Sequence, residues 1–181
     1  MAARRHPDVF RQLVLFEPIV FPLALPDADR PQSELPEGAR RRRPVFPSVE
    51  AAIANYASKP PMRAFDPEVL DDYVRYGFGT DPEGIRLKCA PEHEARTFEM
   101  GGQHDTWDHL PDIAVPTLVI AGVIGEHGPA AGARPIVDRL PNGRYQHVPE
   151  LDHFGPMTHP ERVAELILAG VDELVSDPGR R

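Results

Sequence analysis

His153 stands in Asp152-His153-Phe154-Gly155-Pro156, on a loop between a short strand and an amphipathic helix. Imidazole exchanges protons near neutral pH, so a histidine held by a carboxylate is the minimal equipment for general acid–base catalysis. A lone loop histidine is more often a surface residue, so the reading depends on what surrounds it. Glu17 closes the run Leu13-Val14-Leu15-Phe16-Glu17-Pro18, and Glu126 follows the run that ends Ala121-Gly122. Glu126, His127, His147 and His153 are zinc-ligating types. No H-x-x-x-H helix or comparable ligand pair accompanies them, so neither a metal nor a cofactor is expected. His147 lies within a strand and His159 at a helix start, and both read as structural. The nucleophile is the missing part. Ser33, Ser48, Ser58 and Ser176 are the only serines, and none is flanked by glycines.

The elements that must position these groups are short. The chain has 181 residues and the size of one domain. Its 41% hydrophobic and 27% charged residues are a globular composition. Twenty-two prolines imply short elements joined by long loops. A net charge of −8 argues against a general grip on nucleic acid. Cys89 stands alone, which excludes an internal disulfide framework. No apolar run approaches the roughly 18 residues of a membrane span, and the N-terminus lacks the apolar core of a signal peptide, so a cytoplasmic protein is expected.

Residues 2–6 read as the last turn of a helix with basic side chains and a proline stop behind it. Leu13 to Phe16 reads as a strand buried on both faces. Residues 22–47 are loop-like and contain Arg40-Arg41-Arg42-Arg43, for which a nuclear-localisation or phosphate-binding patch competes with a solvated run that offsets nearby acids; the acidic chain favours the second. Ser48 caps a helix over 49–58, and Asp66-Pro67-Glu68 opens another that stops at Gly77. Ile85 to Ala90 is a short extended segment, and Pro91 opens a helix to Met100. Thr117 to Gly122 is a buried strand. The helix after it is regular only from Pro135. Arg144 to Val148 is a third strand. Thr158 and Glu161 have capping-box spacing, followed by an amphipathic stripe of Val163, Leu166, Ile167, Val171 and Leu174. Strand, helical insert, strand, helix, strand, helix implies an α/β fold with a parallel sheet.

In their order, Arg5-His6-Pro7, Leu13 to Pro18, the insert ending Trp107-Asp108-His109-Leu110, Val115 to Gly122, Leu140-Pro141-Asn142-Gly143 and Asp152 to Pro156 resemble the α/β-hydrolase superfamily. The resemblance is to the second half of that fold. It implies about three core strands with a helical cap: residues 1–21 core, 22–105 cap or lid, 106–176 C-terminal core with the base histidine, and 177–181 a tail. It implies a hydrolase acting on a small ester-like or other carbonyl substrate through a Ser-His-acid triad. His153 matches the position of the base. The usual acid, an Asp three residues past the strand-end glycine, is here Gly125. Glu17, at the site where some members carry the acid, is the preferred substitute, and Glu126 is the alternative. The G-x-S-x-G nucleophile turn would fall about a dozen residues before Met1. The competing expectation is a truncated, inactive fragment serving as a partner module. The strand edge left open at Leu13 to Phe16 is expected to promote self-association.

Overall fold

The computed structural model describes residues 1–22, 34–101, 103–125 and 129–176. Two compact units emerge, one made of Met1–Ala24 with His104–Arg181, the other of Leu25–Gln103.

The first unit is built on a three-stranded parallel sheet. Strands β1 (Leu13–Phe16), β5 (Thr117–Ala121) and β6 (Gly143–His147) lie in the order β1-β5-β6. Leu13 pairs with Thr117 and Phe16 with Ile120, while Thr117 pairs with Gly143 and Ala121 with His147. All five residues of β5 are buried, as a central strand with both faces covered requires. Alternation then sorts the side chains. Val119 and Ala121 join Leu13 and Leu15 against α6 (Pro129–Val137), where Ala133 and Ile136 are buried. Leu118 and Ile120 join Val14 and Phe16 against Val163 and Leu166 of α8 (Pro160–Ser176). Each fully buried aliphatic side chain contributes about 1.5–3 kcal/mol. The run Leu13 to Phe16 is only half-buried throughout, because β1 is an edge strand.

Two expectations fail in this unit. The helix after β5 starts at Pro129, with Pro135 inside it rather than at its start. Proline there removes a backbone donor and crowds the preceding turn. Burial of Ala133, Ile136 and Val137 in the cluster against the sheet holds the helix together. Thr158 forms no capping box: its Oγ1 donates back to the carbonyl of Phe154, at 3.2 Å, within the short α7 (Gly155–Thr158).

The second unit is not purely helical. Residues 22–47, read as loop, contain α2 (Leu35–Arg40) and β2 (Val45–Phe46); the stretch 23–33 lies outside the described residues. β2 joins β3 (Phe78–Asp81) and β4 (Gly84–Leu87) in an antiparallel sheet of order β2-β4-β3. Gly84 has φ +128, and a Cβ there would lie 2.3 Å from the carbonyl oxygen of Phe46, so only glycine closes this hairpin against β2. Helices α3 (Val49–Ala57), α4 (Pro67–Gly77) and α5 (Pro91–Met100) complete the unit. Ser48 Oγ accepts from Ala51 N at 3.2 Å, and Asp66 Oδ1 from Glu68 N at 2.8 Å, so both caps act as their residue types dictate. Phe46, Tyr56, Leu70, Val74 and Phe78 form the core.

The four-arginine run is wired into this unit. Arg40 pairs with Glu37, Glu92 and Glu99. Arg42 pairs with Glu94 and donates to the hydroxyl oxygens of Tyr56 and Tyr73. Burial opposes the Arg42 charge, and the two phenol contacts outweigh it, so the guanidinium is held above its ordinary range.

Candidate active site

β1 ends in a buried carboxylate. Glu17 is 3% exposed, and its backbone N–H donates to the carbonyl of Ile120 at 2.9 Å. Its φ is +42, a left-handed conformation that costs a non-glycine residue roughly 1–2 kcal/mol. Such strain persists only where the surroundings hold it, and here they do so through the side chain. Oε1 accepts from the backbone N–H of Gly122 at 2.9 Å. Oε2 lies 2.8 Å from Nδ1 of His153. Gly122 admits this approach because it has no Cβ: one would lie 2.3 Å from the carbonyl oxygen of Leu151 and 3.1 Å from Glu17 Oε1.

The loop carrying His153 is pinned on both sides. Asp152 Oδ1 accepts from Phe154 N at 2.8 Å, and the Asp152 carbonyl accepts from Gly155 N at 2.9 Å. Gly155 lets the turn sit against Phe16 and Leu151, which a Cβ would meet at 3.1 and 3.2 Å. The Phe154 ring meets the imidazole edge-on with centroids 5.5 Å apart.

An ionised carboxylate only accepts hydrogen bonds, so the Glu17 contact places the neutral imidazole's proton on Nδ1. Nε2 is left with its lone pair free. The His153 side chain is 43% exposed, against 1% for its carboxylate partner. Buried acid, oriented imidazole and accessible Nε2 form an arrangement able to take a proton from a hydroxyl and give it back.

Glu17 and His153, far apart in the chain, are thus brought together. Glu126 lies outside the described residues, as do His127 and Ser33. His147 ends β6 and is exposed, and His159 Nδ1 lies 2.9 Å from Thr158 Oγ1. Ser48 is a helix cap, and Ser58 Oγ donates to the Asn55 carbonyl at 2.8 Å. Both therefore serve helix ends in the second unit, while Ser176 closes α8. Trp107 belongs to the first unit, with the Arg139 guanidinium 4.9 Å from its ring centroid. Among the described residues no group of three or more His, Cys, Asp or Glu is arranged to hold a metal, and no helix is long and apolar enough to cross a membrane. Sequence reasoning missed the Gly122 amide and the Asp152 turn. Glycine at a strand end and aspartate two residues before a backbone N–H were their only signals.

No protein-family model matches the chain. Over 69 residues it is 35% identical to polyketide synthase ThaQ of Burkholderia thailandensis, a match covering 38% of this chain and 3% of that protein. Among solved structures, the peroxisomal alpha-beta-hydrolase Lpx1 from Saccharomyces cerevisiae matches with a TM-score of 0.79 at 17% identity, covering 99% of this chain and 51% of that one. The thioesterase domain from the curacin biosynthetic pathway matches with a TM-score of 0.62 at 17% identity, covering 93% and 61%. At these identities the likeness shows the fold, which is a partial α/β-hydrolase fold. The chain spans about half the length of Lpx1 and a small fraction of ThaQ.

Proposed function

We propose that these residues are the acid–base part of an α/β-hydrolase acting on a small ester-like or other carbonyl substrate. The observation that carries the reading is the 2.8 Å contact between His153 Nδ1 and a Glu17 carboxylate whose other oxygen is held by Gly122 N. In this reading His153 is the base and Glu17 orients it, with Glu126 as the alternative acid. The serine comes from outside these residues, and residues 22–105 act as the cap. Nε2 takes the proton from the serine hydroxyl as its oxygen attacks the carbonyl carbon. The same proton then goes to the leaving oxygen as the acyl bond breaks. Water, deprotonated in turn by Nε2, attacks the acyl carbon; as the acyl–serine bond breaks, that proton passes to the serine oxygen and the acid leaves. Gly122 N and the strained Glu17 backbone fix the carboxylate so that the imidazole need not reorganise as it becomes charged.

One observation favours a second reading, a partner module without activity. Among the described residues β1 pairs only with β5, so one edge of an apolar strand carries unpaired backbone groups. Such an edge accepts a strand from another chain.

The test is hydrolysis of p-nitrophenyl esters by the purified chain, alone and joined to a segment bearing a G-x-S-x-G turn read from the DNA upstream of its start codon. The expected result is no turnover alone and His153-dependent turnover when joined. Turnover alone, abolished by a serine-directed phosphonate that labels Ser33, Ser48 or Ser58, would overturn the placement of the nucleophile. Unrelated upstream sequence with a β1-dependent dimer in light scattering would favour the partner module.

A further inference from the structure

The second unit contains an open groove of about 830 Å³, within the usual range of ligand sites. Its apolar lining includes Met62 and Phe98, with the buried Phe46 and Tyr56 behind them. Phe46 is fully buried and fixed in the core, whereas Phe98 is 43% exposed. Four basic side chains line the groove, Arg41, Arg42, Arg43 and Lys59, against the two acids Glu34 and Glu94. In a chain of net charge −8 this is a local reversal of sign.

The basic groups are not equivalent. Arg42 is consumed by Glu94, Tyr56 and Tyr73. Arg43 lies 4.6 Å from the Phe46 ring centroid and commits its Nε to the Val45 carbonyl at 2.8 Å, which leaves its two terminal nitrogens free to donate. Lys59 gives one proton to Asn55 Oδ1 at 2.8 Å and keeps two. The exposed Arg41 side chain has no hydrogen-bond or ion-pair partner among the described residues, while its backbone N–H donates to the Glu37 carbonyl at 3.2 Å. Arg43 thus has its Nε fixed and its terminal nitrogens without a partner among the described residues, and Arg41 and Lys59 add positive charge along the same groove.

We infer that this groove binds a small amphipathic anion, an apolar chain on Met62 and Phe98 above the buried Phe46 and Tyr56, with a phosphate or carboxylate head against Arg41, Arg43 and Lys59. Pairing with an ionised acceptor strengthens each donor contact, and the bidentate fork of arginine favours a phosphate or carboxylate over a single neutral oxygen. The site lies wholly within residues 34–98 and is independent of the Glu17–His153 pair.

The experiment is titration of the full chain with octyl phosphate, octanoate and octanol, read by calorimetry and by amide chemical-shift changes. Octyl phosphate is expected to bind with Kd on the order of 100 μM, with shifts centred on Arg41, Arg43, Lys59 and Phe98. Octanoate binding comparably assigns the head to any compact anion; octanoate binding much more weakly assigns it to phosphate. The variant R41Q/K59Q removes two charges that serve no contact in the core, and is expected to weaken the anions about tenfold while leaving octanol unchanged. F98Q is expected to weaken all three. Octanol binding as well as the anions, an unchanged affinity in R41Q/K59Q, or shifts confined to residues outside 34–98 would overturn the site. None of these outcomes depends on ester hydrolysis, so the hydrolase reading stands or falls separately.

Discussion

Glu17 and Glu94 are both drawn in from solvent, one in each unit, and they are put to opposite uses. Glu94 meets a guanidinium that also reaches two tyrosines, with both charged side chains about three-quarters buried. That network ties the turn before β2 to α5 through Glu94, to α3 through Tyr56 and to α4 through Tyr73. Glu17 meets one backbone N–H and one imidazole nitrogen, and the imidazole keeps its second nitrogen open to solvent. A guanidinium shared among three elements fastens structure. A carboxylate that orients a half-used imidazole stores a protonation change for something else to use.

The sharpest way to break that contrast is at Glu17. In the form joined to a nucleophile-bearing segment, Glu17→Gln should lower kcat by up to about 10⁴-fold, the scale set when a triad acid is lost, while Glu126→Gln stays near neutral. The chain by itself gives a second readout. Long-range nitrogen NMR should show His153 protonated on Nδ1 in the native chain and lose that preference in Glu17→Gln. If Glu126→Gln is the crippling change and Glu17→Gln is harmless, the acid belongs to the later loop.

The fastening network should respond in stability instead. Arg42→Leu leaves Glu94 and two phenol oxygens without their donor in a mostly buried setting, which should cost about 2 kcal/mol and speed amide exchange at Phe46 and Val74. Loss of one partner costs more than replacement of both, so the double variant Arg42→Leu/Glu94→Leu should recover part of the loss. A single variant as stable as the native chain would show that Arg42 is a surface charge after all.

What was legible in the sequence follows the same division. β5 announces itself because a strand covered on both faces has no polar position to confuse the pattern. Asp66-Pro67 and Pro91 mark the starts of α4 and α5 because capping and proline chemistry are local. Glu17 and His153 were picked out by a resemblance; neither composition nor periodicity joins residues so distant in the chain. The antiparallel sheet escaped because β2 is two residues long and fixed by pairing of Val45 with Arg86 and Phe46 with Ile85, contacts beyond any local window. The turn Asp81-Pro82-Glu83-Gly84 did carry a hairpin signal. Pro135 misled because burial of its neighbours outweighs a local penalty. Arg40 to Arg43 read as solvated, since sequence alone does not reveal that Glu92 and Glu99 return on one face of α5 to meet Arg40 and Glu94 on another to meet Arg42.

The smallest expected effect comes from acid, and it separates the exposed part of the arginine network from its buried part. The Arg40 guanidinium holds the carboxyls of Glu92 and Glu99 below the ordinary glutamate range. Asp81 is lowered by the Glu83 N–H and then by Arg86, and Glu50 by its own N–H and then by Ser48. A carboxyl with a lowered folded-state pKa binds its proton less readily folded than unfolded. The stability it contributes is therefore complete above the unfolded value and lost as pH falls through the folded one. Glu50, Glu92 and Glu99 face solvent, so solvent and salt screen their contributions, whereas the Asp81 side chain is 8% exposed and is screened less. Urea midpoints should be flat above the ordinary carboxylate range and fall steadily below it. Arg40→Gln should shrink that fall by removing the Glu92 and Glu99 part, and should change little at neutral pH beside the loss in Arg42→Leu. Added salt should shrink the Arg40-dependent part and leave the Arg42 effect largely intact, because a pair about three-quarters buried is screened less. A pH dependence unchanged by Arg40→Gln would mean that the Arg40 contacts do not persist in solution. Equal salt sensitivity of the two variants would erase the distinction between the exposed and the buried arginine.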